Sequence, residues 1–248
     1  MSANLADRGH GSCSVEPLSK RVGLRLLKEF APEAVAADKE GAEKLVDTLG
    51  GLPLGLALAG QMIAREWQAG LGVSGALEEL MGSGARLDLL GDDQAQVSLR
   101  AMLAVGYDHL PDDDSRQAFR QLGVFGGQPR TFTWMAAADI WELARRPAQK
   151  HIATLVDQQM IQPLGDGVYS LHNSFADFAL SLLAEADEKT AVYDRFVDHY
   201  IHLVTENVES DWQEVEDNLS QIRHAFDWLA GESRLGAVTQ LIQLMNRP

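Results

Sequence analysis

Ile161-Gln162-Pro163-Leu164-Gly165-Asp166-Gly167-Val168-Tyr169-Ser170-Leu171 sets two short β-prone runs on either side of a Gly-Asp-Gly turn. Glycine accepts the positive φ that tight hairpin turns require, so this stretch predicts a β-hairpin. Almost everything around it reads as helix. Upstream, helices are expected over residues 97–109 and 114–122, then a short β-prone Thr131-Phe132-Thr133-Trp134 and more helix up to Met160. Pro147 can start the last of these helices, with Ile152, Leu155, Val156 and Met160 as its buried stripe. Helix, helix, short strand, helix, hairpin is the order of a winged helix. The hairpin is its wing.

Outward from this unit the pattern stays helical. Residues 1–14 read as a flexible leader. Ser19 can cap a helix carrying Val22, Leu26, Leu27 and Phe30, and a second helix over 37–49 places Ala42, Leu45, Val46 and Leu49 on one face. The second stops at Gly50-Gly51, and Pro53 suits the first turn of a third helix running to about residue 67, with a fourth over 74–81. A Gly/Asp-rich bridge over 82–96 follows. Beyond residue 183 three helices are expected, over 187–205, 211–230 and 234–245. The middle one opens on Ser210-Asp211-Trp212-Gln213, which has the form of a capping box, and carries Val215, Leu219, Ile222, Phe226 and Leu229 at helical spacing. The expected fold is therefore mainly α: a four-helix domain over 15–83, a linker over 84–96, a winged-helix domain with a small β-hairpin over 97–184, and a helical-repeat, TPR-like segment over 185–248.

Composition narrows the function classes. A formal charge of −15 repels phosphate backbones and makes general nucleic-acid affinity an unfavoured expectation. The apolar stretch over 52–63 is interrupted by Pro53, Gly55, Gly60 and Gln61 and is too short for a bilayer span, and the first residues lack the apolar core of a signal peptide. Cys13 is the one cysteine, so no disulfide framework exists and the cytoplasm is the expected compartment.

Three words carry a resemblance. Asp47-Thr48-Leu49-Gly50-Gly51-Leu52-Pro53-Leu54-Gly55-Leu56, then Val105-Gly106-Tyr107-Asp108-His109-Leu110-Pro111, then Tyr169-Ser170-Leu171-His172-Asn173-Ser174-Phe175-Ala176-Asp177-Phe178-Ala179 follow in this order. Together, over about residues 15–184, they resemble the helical lid and winged-helix portion of the NB-ARC branch of STAND signalling NTPases. The resemblance implies a regulatory, ADP-sensing segment that couples nucleotide state to opening and assembly. It implies nucleotide-binding roles for Gly51, Leu52, Pro53 and Leu54, with Pro53 against the adenine side, and a β-phosphate contact for His172. ADP or ATP would be held in the intact parent protein, weakly or not at all by this chain alone. The implied partners are an upstream P-loop domain, and other protomers or a protein ligand reached through the helical repeats.

Departures from the family pattern bear on that expectation. Leu171 stands for methionine, Gly55 for alanine, and Asn173 for the family's aspartate. The last removes a charge while keeping a neutral capping oxygen, so Asn173 is expected to tune the ADP-bound state. Plainer readings exist for both words: a helix stop followed by a proline start explains Gly50 to Leu54, and a capping histidine explains His172.

Catalytic chemistry is thin. The nearest approach to a phosphate loop, Gly55-Leu56-Ala57-Leu58-Ala59-Gly60-Gln61-Met62, lacks the lysine and the hydroxyl, and Leu87-Asp88-Leu89-Leu90-Gly91-Asp92-Asp93 is an interrupted imitation of a magnesium-binding strand end. Hydrolysis by this chain is not expected and no catalytic residue is assigned. His199, His202 and Glu206 share a helix face but read as exposed, so no metal is expected, and the acidic run from Glu206 to Asp217 reads as solvated. The alternatives are a winged-helix DNA-binding regulator using Arg145, Arg146, Lys150 and His151, and a nucleotide-independent interaction scaffold.

Overall fold

The computed structural model describes residues 17–86, 94–207 and 212–232. The leader with Cys13, the stretch over 87–93, the Ser210-Asp211 cap and the helix expected over 234–245 lie outside the described residues. The chain divides into two compact units, Met1–Val105 and Gly106–Pro248.

In the first unit the described elements are α1 (Lys20–Phe30), α2 (Pro32–Ala37), α3 (Lys39–Thr48), α4 (Pro53–Gln68), α5 (Gly72–Arg86) and most of α6 (Gln94–Asp108). Ala42, Leu45, Val46 and Leu49 are buried, as their spacing requires. The helix expected over 37–49 is preceded by the separate α2, because Asp38 ends one helix and caps the next, accepting from Gly41 N at 2.8 Å. Ser19 occupies the N-cap of α1 without a side-chain cap bond. Val22, expected in the core, is 44% exposed, and Gly23 and Leu27 are the buried positions of α1. The reason is a close crossing: a Cβ on Gly23 would stand 2.8 Å from Val46 Cγ1 of α3. Gly60 of α4 similarly lies under the Phe30 ring. Residues 82–86 of the expected bridge belong to α5, and 94–96 to α6.

The second unit continues with α7 (Asp113–Gln121), a 3₁₀ turn (Leu122–Val124), β1 (Thr131–Thr133), α8 (Trp134–Ile140), α9 (Arg145–Asp157), β2 (Ile161–Gly165), β3 (Val168–Leu171), α10 (Asn173–Glu185), α11 (Lys189–Asn207), α12 (Trp212–Asp217) and α13 (Leu219–Gly231). The strands form one antiparallel sheet in the order β1-β3-β2. Ile161 pairs with Leu171 in the hairpin, and Thr131 pairs with Ser170 on the other side of β3. Asp166 and Gly167 both have positive φ, 50° and 76°, which makes the two-residue turn the type whose twist matches the strands. A mainly helical chain with a small β-hairpin is thus what the sequence encodes, with β1 as a third strand.

Local capping explains several boundaries. Asp112 Oδ1 accepts from Ser115 N at 2.8 Å at the start of α7, and Thr133 Oγ1 accepts from Ala136 N at 3.1 Å at the start of α8. The single helix expected over 211–230 is broken at Asn218, whose Nδ2 donates back to Glu214 O at 2.9 Å. The core is aromatic. Phe119, Phe125, Phe132, Phe175, Phe196 and Tyr200 are buried, and Phe125 stacks on Phe132 at 4.6 Å between centroids. α11 lies along α8, and α13 reaches the sheet through Gln221, whose Nε2 donates to Thr131 O at 3.0 Å while its Oε1 accepts from Gly127 N at 3.3 Å.

Candidate nucleotide-responsive site

Pro53 lies in the first compact unit and His172 in the second. In the first, Gly51 N donates to Val46 O at 3.2 Å and Gly50 N donates to Asp47 O at 3.1 Å. These two bonds are the Schellman termination of α3; Gly50 takes the left-handed conformation it needs, with a φ of 58°, and Gly51 follows with a φ of 70°. Gly51 has a second duty. Its O accepts from Leu18 N at 2.8 Å, and a Cβ on it would strike Leu18 O. Leu52 is the extended N-cap residue of α4 and Pro53 its first helical residue, where a missing N–H costs nothing. Leu52, Pro53 and Leu54 are half-buried, which leaves three adjacent apolar side chains partly open at a helix start.

Gly55 departs from alanine without a steric reason. A Cβ there would meet Leu49 Cδ2 at 3.5 Å, an ordinary van der Waals contact. Gly55→Ala is therefore expected to stabilise the first unit by about 0.5–1 kcal/mol through helix propensity, readable as a raised denaturation midpoint.

In the second unit His172 is the N-cap of α10, and its Nδ1 accepts from Ser174 N at 3.2 Å. This bond fixes the neutral tautomer: Nδ1 carries the lone pair and Nε2 carries the proton. Capping here comes from the histidine and not from Asn173, which is the first helical residue. Asn173 O accepts from Arg130 Nη1 at 3.2 Å, and Arg130 Nη1 also contacts Asp177 Oδ1 at 2.9 Å. Arg130 thus ties the approach to β1 to the first turn of α10. Nothing in the spacing around Arg130 marked it beforehand, because its partners lie more than 40 residues away.

Desolvation pushes the His172 imidazole below its ordinary value, the Arg130 charge pushes it further in the same direction, and Asp177 opposes both. His224 is also lowered, first by burial, with Arg130 contributing and Asp227 opposing. A depressed folded-state pKa means the unfolded chain binds protons more readily. The associated stability is complete above about pH 6.5 and is lost as pH falls through the folded values. The second unit is expected to melt at a lower temperature at pH 5 than at pH 7.5, followed by circular dichroism. His172→Ser, which keeps a cap without a titrating ring, is expected to shrink that difference.

The other candidates separate clearly. Arg145, Arg146 and Lys150 are exposed on α9, and Arg145 lies 5.2 Å above the Trp134 ring. His151 is buried instead, with Nδ1 3.3 Å from Ser115 Oγ, and does not belong to that surface. His199 is not on an exposed face either: its side chain is 10% exposed, with Nδ1 2.7 Å from Asp139 Oδ2. His202 pairs with Glu206 at 3.2 Å, so the two histidines have separate partners. Among the described residues no group of three or more potential metal ligands is gathered. No described helix is long and apolar enough to cross a membrane.

No family model matches the chain. It is similar to the regulatory protein AfsR of Streptomyces coelicolor, with 28% identity over 184 residues, covering 70% of this chain and 18% of that protein. It is similar in the same way to the regulatory protein AfsR of Streptomyces griseus, with 28% identity over 195 residues, covering 75% of this chain and 19% of that protein. The chain spans less than a fifth of the length of these curated relatives.

Proposed function

We propose that this chain is the regulatory, ADP-sensing portion of a STAND-type signalling NTPase, and that Pro53 and His172 are the residues through which nucleotide state is read. The likeness to proteins named as regulatory supports a regulatory role. The observation that carries the nucleotide reading is the tautomer of His172. With Nδ1 engaged by Ser174 N, the ring has a fixed Nε2–H donor at a helix N-terminus near the Arg130 charge. Helix start, imidazole donor and guanidinium together suit a phosphate oxygen. The half-open Leu52, Pro53 and Leu54 offer an apolar surface suited to a purine face. ADP or ATP, the upstream P-loop domain that supplies the main phosphate contacts, and partner protomers reached through the C-terminal helices belong to this proposal. So do the absence of hydrolysis by this chain alone, the absence of a resident metal, and a cytoplasmic setting. A few kcal/mol of differential contact is enough to bias such a switch.

Asn173 tunes the state in this reading through the α10 dipole. An aspartate at that first helical position would be favoured by about 0.3–1 kcal/mol. It would also compete for the Arg130 charge.

The test is ADP retained by the full-length protein. His172→Ser is expected to weaken ADP binding roughly ten- to a hundredfold, the loss of a charge-assisted contact of about 1.5–3 kcal/mol, and Pro53→Ala to weaken it by a smaller factor of roughly five, the loss of about 1 kcal/mol of apolar ring contact. Serine keeps the α10 cap, so the loss reports on the imidazole itself. Wild-type ADP content in both variants would sink the proposal.

A second reading is a winged-helix regulator that touches DNA through α9, and the likeness to regulatory proteins fits it at least as well. The exposed Arg145, Arg146 and Lys150 favour it, although the wing tip carries Asp166 and no cation. Retardation of duplex DNA at physiological salt, abolished by Arg145→Gln with Arg146→Gln, would place this reading first.

A further inference from the structure

The first unit carries a concentration of positive charge that neither reading above uses. Lys20, Arg21, Arg25 and Lys28 of α1 and Lys39 of α3 line a groove of about 490 Å³ whose other walls are Leu24 and Glu43. Five of the 21 basic residues of a chain with net charge −15 thus meet in one place. Two of them are locally committed: Lys20 Nζ is 2.6 Å from Asp47 Oδ2, and Lys39 Nζ is 3.5 Å from Glu43 Oε1. Among the described residues Arg21, Arg25 and Lys28 make no ion pair.

Those three cations stand at i, i+4 and i+7, which places them in one row along the helix. Seven residues of α-helix rise about 10 Å, so the row repeats its charge on the scale of two helical turns. The same side of α1 presents the half-buried Leu24, while Gly23 and Leu27 hold the opposite side in the core. An unpaired basic row on a helix already anchored by its apolar face is a surface built to meet anions.

We infer that the α1 face is a docking surface for an acidic α-helical segment of a partner protein. Charge complementarity selects an anion. A long nucleic acid would bring its phosphates against a molecule of net charge −15, whereas a short acidic helix meets only the local basic row. Leu24 in the groove lining gives such a helix an apolar contact between its carboxylates, which a phosphate backbone would leave unused. Both arginines can grip carboxylates bidentately, which fixes the register of the incoming helix.

The test uses the whole chain and three probes at 50 mM salt, read by fluorescence anisotropy. One is an alanine-based helical peptide with glutamates at i, i+4 and i+7, the second is its isomer with the same glutamates spread around the helix, and the third is a single-stranded oligonucleotide of equal charge. The matched peptide is expected to bind at least tenfold more tightly than its isomer, to weaken severalfold at 200 mM salt, and to lose at least tenfold on combined Arg21→Gln, Arg25→Gln and Lys28→Gln. Arg21→Lys with Arg25→Lys keeps the charge but not the bidentate grip, and is expected to retain part of the affinity while losing most of the preference for the matched peptide over its isomer. Circular dichroism should show the triple variant folded, since all three side chains point away from the core. Failure of the matched peptide to bind, equal binding of the two peptides, or unchanged binding by the triple variant would overturn the inference. Tighter binding of the oligonucleotide would also overturn it, in favour of a nucleic-acid surface.

Discussion

Phe119→Ala is expected to be the most damaging single substitution in the second unit, costing about 3–5 kcal/mol, the range for removing a fully buried aromatic ring. Phe119 is completely buried, and its ring lies 5.8 Å from Tyr107, 6.0 Å from Phe175 and 6.3 Å from Phe178. Those partners come from α6 and α10, so one ring on α7 joins three helices. Truncation removes the edge-to-face and tilted contacts, each worth about 0.5–1.5 kcal/mol beyond burial, and leaves a cavity the rigid helices cannot close. A thermal midpoint lower by roughly 10 °C is the expected readout. Phe119→Leu should lose less than half as much, because most of the volume remains. A loss below about 1 kcal/mol for the alanine variant would show that the unit is not organised around this ring.

Gly123→Ala should come close to that loss by the opposite physics. The 3₁₀ turn presses its backbone directly onto α10, so that a Cβ on Gly123 would stand 2.5 Å from Leu180 N, 2.7 Å from Leu180 Cα and 2.8 Å from Ala179 C. All three obstacles are backbone atoms. A flexible side chain can turn aside, but a helix backbone must move with its hydrogen-bonded neighbours, and Leu122, Val124 and Ala179 around it are fully buried. Overpacking of this kind costs about 1–3 kcal/mol, and the upper end applies where only backbone can give way. Urea unfolding should show the midpoint falling with little change of slope. A stability equal to wild type would mean that turn and helix separate readily. The α10 cap at His172 would then be less firmly seated than the contacts indicate.

This second result bears on function as well as on stability. His172 begins the same helix that Gly123 holds in place, and Arg130 fastens its first turn through Asn173 O and Asp177. A nucleotide-sensing donor must be positioned before the ligand arrives, because a mobile imidazole loses in ordering entropy what it gains in contact. The rigid aromatic core therefore serves the proposed sensing role by fixing one end of α10.

Much of the fold followed from local chemistry. Gly50-Gly51 before Leu52-Pro53 specifies a helix stop and a helix start, and the structure realises both through a Schellman motif and a proline at the first helical position. Asp166-Gly167 specifies a hairpin because both residues accept positive φ. Ala42, Leu45, Val46 and Leu49 specify a buried face because their period matches the α-helix. Each of these signals involves residues within a few positions of one another. That is the range over which backbone sterics and side-chain periodicity act.

What the sequence left open depended on partners far along the chain. Val22 lies outside the core because Gly23 lets α3 come close, and no periodicity in α1 records the neighbour that makes the glycine useful. His151 is withdrawn from the exposed basic face of α9 by a hydrogen bond to Ser115, 36 residues earlier, and His199 is turned inward by Asp139, 60 residues earlier. Arg130 joins Asn173 and Asp177 across more than 40 residues. The sequence by itself determined that the chain is mainly helical, where α3 stops and α4 starts at Gly50-Gly51 and Pro53, where the chain turns back as a hairpin, and which words resemble a nucleotide switch. Only the tertiary structure decided which polar side chains face inward, which residues Arg130 fastens to the start of α10, and which cations remain unpaired, because burial and long-range hydrogen-bond partnership are settled by segments that meet in space and not by spacing along the chain.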